Sequence, residues 1–158
     1  MNKQIATVIL AFITVSIVIA ALAPLLPVRE QKFSELGILG PNQTIKGYPT
    51  RVAVNQSFLI YGYVGNHEGN IENYRLLVKL GNQATVVTNT TYADVPVLST
   101  YWRVLKNTET WLFPMNLSVN RAGNNTRIIF ELWSYDVPNS GFKYTGLWNQ
   151  IWLNVTST

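Results

Sequence analysis

Five successive odd-numbered positions, Trp111, Phe113, Met115, Leu117 and Val119, are apolar. Side chains alternate across a strand, so this spacing builds one wholly apolar face and reads as β, not helix. Asn116 and Ser118 then point to the opposite face. Pro114 points that way too and has no N–H for a ladder, so this strand is expected at a sheet edge or at a bulge. Tyr74, Leu76, Val78 and Leu80 alternate in the same manner with Arg75, Leu77 and Lys79. Leu147, Ile151, Leu153 and Val155 share a face that only Asn149 interrupts, with Trp148, Gln150, Trp152 and Asn154 opposite. Residues 58–64 and 127–135 are apolar on both faces, as central strands are. Weaker candidates are residues 34–39, 84–91 and 100–105.

Turn-forming residues separate these runs: Gly40-Pro41-Asn42, Gly65-Asn66-His67-Glu68-Gly69-Asn70, Gly81-Asn82, Ala122-Gly123-Asn124-Asn125 and Pro138-Asn139-Ser140-Gly141. No helical apolar period of useful length follows Val28. The expectation is all-β: a single immunoglobulin-like antiparallel β-sandwich of about seven to eight strands in Greek-key order. It occupies residues 29–158, after one N-terminal hydrophobic helix within residues 1–28. The chain has no cysteine, so its core must hold it without disulfides, and 5 Trp, 8 Tyr and 6 Phe supply large apolar areas for that purpose.

Residues 5–23 carry no charge and would span ~28 Å as a helix, close to the thickness of a bilayer core. Lys3 before the run favours a cytoplasmic N-terminus, while Arg29 and Lys32 after it weaken that bias. Ala21-Leu22-Ala23 followed by Pro24 is a small-x-small site of the kind a signal peptidase cuts, between Ala23 and Pro24. Three fates are open: an uncut membrane anchor, a cleaved signal peptide, or a leader removed just before the apolar helix, as in archaeal pilins.

Six Asn-x-Ser/Thr acceptors follow this segment, at Asn42, Asn55, Asn89, Asn116, Asn124 and Asn154. With 16 Asn and 23 Ser or Thr in 158 residues, chance supplies about 2. The excess points to N-linked glycans, and so to a chain facing the outside of a membrane. Only 13% of residues are charged, so amides, hydroxyls and glycans must make the surface polar. Such a shell does not titrate, which predicts stability nearly flat between about pH 2 and 7.

The residues argue against chemistry. The net charge of +4 is spread without a basic run, which argues against a nucleic-acid partner, and none is expected. His67 is the sole histidine and no thiol exists to complete a metal site with it, so it is expected to be an exposed turn residue. The eight carboxylates are scattered; Glu109 and Glu131 are the pair that a fold could bring together for glycoside hydrolysis. Glu131 is the more telling of the two, because it sits between Phe130 and Leu132 in an apolar strand. No nucleophile elbow, phosphate loop or metal motif occurs. No enzyme and no cofactor are expected. Trp148 and Trp152, on one side of the last strand, are candidates for stacking on sugars or for an interface.

Several stretches carry a family resemblance. They are Phe33-Ser-Glu-Leu-Gly-Ile-Leu-Gly-Pro41, Gly47-Tyr-Pro-Thr50, Val64-Gly-Asn-His-Glu-Gly69 with Asn73-Tyr74, Arg121-Ala-Gly-Asn124, Ile128-Ile-Phe-Glu-Leu-Trp133 and the closing run from Leu147 to Val155. Over residues 33–155 the chain resembles an uncharacterised family of archaeal membrane proteins with an extracellular immunoglobulin-like domain of unknown function. The resemblance implies fold and location and assigns no activity. Family members carry several membrane spans before this module, whereas here one apolar segment precedes it.

These readings converge on a non-enzymatic, glycosylated cell-surface protein with a structural or adhesive role. Its expected partners are copies of itself or other cell-envelope proteins, with the membrane reached through residues 5–23 if that segment is uncut. In the sharper version it is a pilus-like or thread-like filament subunit, with residues 24–39 donated as a strand to a neighbour. The alternative is a membrane-anchored monomeric module that binds carbohydrate or protein.

Overall fold

The computed structural model describes residues 3–22 and 31–157, leaving out the side chains of Lys3, Ala6, Thr7 and Leu10. The chain divides into two units, residues 1–31 and 32–158. The first contains helix α1, Lys3–Leu22, with apolar residues round its whole circumference. Among the described residues no helix is long and apolar enough to cross a membrane. The sequence run 5–23 takes in Ala6, Thr7, Leu10 and Ala23, and the proposed cut at Ala23 and Pro24 also lies outside the described residues.

The second unit has eight strands: β1 Phe33–Leu39, β2 Arg51–Ala53, β3 Phe58–His67, β4 Glu72–Gly81, β5 Val97–Leu105, β6 Thr110–Leu117, β7 Gly123–Asp136 and β8 Gly141–Thr156. They form two sheets, one ordered β1-β3-β6 and the other β2-β8-β7-β4-β5. The crossovers that bring β3 beside β6 and β4 beside β7 make an immunoglobulin-like sandwich with Greek-key connections. All pairings are antiparallel except β2 with β8, a three-residue parallel ladder.

The alternating positions build the space between the sheets. Tyr74, Leu76 and Val78 from β4 meet Ile128, Phe130 and Leu132 from β7 and Ile151, Leu153 and Val155 from β8. Phe113, Met115, Leu117 and Val119 come from the opposite sheet and its exit. Pro114 lies on β6, which is an edge strand, where its missing N–H breaks no ladder. Gly62 faces Phe113 across the β3–β6 pair, and a Cβ there would lie 2.5 Å from the ring. That glycine lets Phe113 lie flat over β3 and stack on Trp111 at 3.7 Å.

Three expectations need correction. Residues 84–91 form no strand: they belong to a loop, 82–96, whose Val87 and Ala93 pack on Ile129 and Trp148. Residues 65–67 are not a turn but the end of β3, paired with β1 and, at Gly65, with β6. The strand segment 33–39, expected to be available for donation, is seated as β1 against β3 of its own chain.

A candidate site on the outer face of the larger sheet

The large sheet turns Arg75, Leu77 and Lys79 of β4 and Arg127, Ile129, Glu131 and Trp133 of β7 away from the core, and the loop 82–96 covers part of that face. A buried ion pair holds the loop down. Lys79 Nζ lies 2.8 Å from Glu131 Oε2, and both side chains are almost wholly buried. Lys79 Nζ also donates to Ala93 O at 2.6 Å, and Ala93 N–H donates to Glu131 Oε1 at 2.5 Å. Trp133 Nε1–H completes the carboxylate's set at 3.2 Å. Each charge is thus matched by its partner and by loop backbone, as a charge removed from water requires. Farther along, Arg127 Nη1 donates to Thr85 O at 2.6 Å and Tyr144 Oη donates to Thr88 O at 2.8 Å.

This arrangement gives Glu131 its role. Its oxygens are engaged by Lys79, Ala93 and Trp133, so it fastens the loop and is not presented to a substrate. Glu109, its expected partner, lies before β6, where one oxygen sits 3.3 Å from Arg103 Nη2 and the other accepts from Lys106 N–H. The fold does not bring the two into one site. His67 is half-buried, stacked on Phe33 at 4.6 Å and 3.7 Å from Glu35 Oε2. Among the described residues no cluster of three or more His, Cys, Asp or Glu could hold a metal.

Glu68 and Glu72 do share a cleft of about 460 Å³ with Ser34, a pair that spacing along the chain does not announce. Ser34 Oγ donates to Glu68 Oε1 at 2.6 Å and lies 2.8 Å from Tyr74 Oη. Burial and the nearby Glu68 charge push the Glu72 carboxyl above its usual range. Buried Asn66 ties the adjoining turn by donating to Asn70 O and Leu105 O.

The two tryptophans separate. Trp148 packs against Val87, Ala93 and Ile129 beneath the loop, and Trp152 is 38% exposed. The Arg127 guanidinium lies 5.5 Å from one ring and 5.3 Å from the other, which binds them into the face. A second aromatic cluster lines a cleft on the same face. Tyr92 from the loop meets Trp133 at 5.1 Å and Tyr144 at 6.4 Å. These three rings and Phe142 line a cleft of about 670 Å³ that also takes in Asn89, Asp136, Asn139 and Lys143.

The family described as Domain of unknown function (DUF1616) matches residues 27–152. The chain belongs to this family. Among solved structures, the CARDB domain of a Pyrococcus furiosus protein in complex with di-metal ions aligns at 14% identity and a TM-score of 0.49, over 80% of this chain and 90% of that one. A β-glucosidase from Listeria innocua aligns at 10% identity and 0.47 over 80% of this chain, which spans 16% of the enzyme. Spo0M, a sporulation control protein from Bacillus subtilis, aligns at 6% identity and 0.43, over 79% of this chain and 50% of that one. No curated protein matches the sequence.

On this DUF1616 sandwich the acceptor asparagines are spread widely. Asn42, Asn55, Asn89, Asn116 and Asn124 are exposed. Asn154 is half-buried between β2 and β7, and its Oδ1 accepts from Asn125 N–H at 2.9 Å. The sheet edges differ as well. β6 carries Pro114 and Asn116, β2 has three residues, and β1 is tied across the seam by Asn149 Nδ2 donating to Leu36 O. β5 pairs on one side only, has nine residues without proline or acceptor, and exposes Val97, Trp102 and Val104.

Proposed function

We propose that this DUF1616 chain is a non-enzymatic, glycosylated cell-surface protein whose sandwich serves a structural or adhesive role. One observation carries the reading: five of the six acceptor asparagines are exposed and scattered over the domain, while the nine-residue edge strand β5 has none. Glycans at those positions would shield most of the surface and leave β5 for association. An unpaired strand with exposed Trp102 (69%) and Val104 (50%) is a template for strand addition. In the finer version, copies join head to tail into an open filament, β5 accepting a strand from the segment that precedes β1 in the next copy. Because β1 is already paired with β3, the part of the expected donor segment, residues 24–39, that would be offered to β5 is the part that precedes β1.

Sedimentation velocity and electron microscopy of the full chain test this. Assemblies that persist in mild denaturant and disappear in Trp102→Lys support it. A chain that stays monomeric at high concentration contradicts it. Trp102 is a surface residue, so the substitution should change folding stability by no more than about 0.5 kcal/mol.

The aromatic cleft on the outer face favours a second reading, a membrane-anchored monomer that binds carbohydrate. The N-terminus of the mature chain separates the two. A start at Pro24 supports strand donation and a start at Met1 supports the anchored monomer.

A further inference from the structure

The aromatic cleft contains a glycan acceptor. Asn89, of the Asn89-Thr90-Thr91 acceptor, lines the same cavity as Tyr92, Trp133, Phe142 and Tyr144. The three rings of Tyr92, Trp133 and Tyr144 lie at 47–78° to one another. They are not a closed stack: Lys79 lies 5.1 Å from the Tyr92 ring and 5.7 Å from Trp133, and Arg75 lies 4.1 Å from Phe142, so a ligand would meet the ring surface that lines the cleft. Asp136 and Asn139, joined by a 2.7 Å hydrogen bond, supply acceptors and donors on the lining, with Lys143 nearby. Apolar ring faces flanked by fixed polar groups suit a pyranose, which has apolar C–H faces and a girdle of hydroxyls. The volume is within the ~300–1,000 Å³ typical of small-ligand sites.

The backbone around Asn89 is held in place. Tyr144 Oη donates to Thr88 O, and Thr88 N–H donates to Thr91 O at 2.8 Å. Gly146, at φ +84°, lets Asn89 O approach so closely that a Cβ there would lie 2.5 Å from it. A sugar linked to Asn89 starts on the cleft lining with most of its translational freedom already lost, so weak ring contacts suffice to seat it.

We infer that the inner sugars of an N-glycan on Asn89 fold back into this cleft and lie against Tyr92, Trp133 and Phe142, so that the protein's own glycan occupies its carbohydrate site. This rests on the reading of the chain as a glycoprotein.

The test is production of the full chain in a host that N-glycosylates, peptide mass mapping of every acceptor, and the rate of glycan release by an endoglycosidase under native conditions. The Asn89 glycan should be released roughly tenfold more slowly than those on Asn42 and Asn124. Tyr92→Ala and Phe142→Ala, each checked by circular dichroism for an intact sandwich, should abolish the difference. Equal release rates in the parent chain overturn the inference and leave the glycoprotein reading standing. So does an unmodified Asn89 among modified acceptors, whereas no modified acceptor at all overturns both. N,N′-diacetylchitobiose titrated into Asn89→Gln gives the last arm. Binding there, combined with an unprotected Asn89 glycan, assigns the cleft to an external saccharide and overturns the inference.

Discussion

Glu131 illustrates what a single residue reveals and conceals in sequence. An acid between Phe130 and Leu132 signals that one face of β7 does something other than pack on the main core. The spacing cannot show that Lys79, 52 positions earlier, is its partner, because the two meet diagonally across strands that pair only in the fold. Glu131→Gln should destabilise the sandwich by about 3–5 kcal/mol in denaturant unfolding, since it leaves the buried Lys79 ammonium unmatched. Lys79→Met combined with Glu131→Leu should recover much of that loss. At the alkaline end, burial pushes Tyr74 and Tyr144 up to about 12 from 10.0, with the Glu131 charge adding to the effect on Tyr144. Both phenols are raised in the folded chain, so their contribution is complete below pH 10 and is lost as pH rises through about 12. The unfolding free energy should fall over that window in the parent chain and fall less in Tyr74→Phe/Tyr144→Phe.

Among the elements, β4, β6 and β8 are legible because each carries a period of two over enough residues to fix a face, and β3 and β7 because both their faces are apolar. β2 is not, since three residues hold no period. Residues 84–91 mislead because Val86, Val87 and their threonines have strand propensity, whereas the loop meets its backbone needs through Arg127, Tyr144 and its own hydrogen bonds. Gly65 misleads in the opposite direction. It marks close approach, not a turn, for a Cβ at that position would lie 2.5 Å from Glu35 Oε2. Gly146 is a second such contact, and its substitution probes the loop directly. Gly146→Ala should destabilise the chain by about 1–3 kcal/mol, from a positive φ and the clash with Asn89 O. It should also hasten limited proteolysis within residues 82–96 while leaving β3 and β6 protected from amide exchange.

For the whole molecule, alternating runs separated by turn-forming residues are enough to expect the sandwich. The outer-face site is largely hidden in the sequence, because it is assembled from β4, β7, β8 and a loop whose residues 84–91 have the pattern of a strand. Trp148 and Trp152 lie on that face, but the rings that line its cleft are Tyr92, Trp133, Phe142 and Tyr144, scattered over 53 positions. The domain is poor in charge, with exposed acceptor asparagines scattered over its surface and none on β5. Peptide mass mapping of the chain recovered from the cells that make it tests the glycoprotein reading most directly. Glycans are expected on Asn42, Asn55, Asn89, Asn116 and Asn124, with Asn154, half-buried and hydrogen-bonded, left bare. A chain unmodified at all six would contradict that reading.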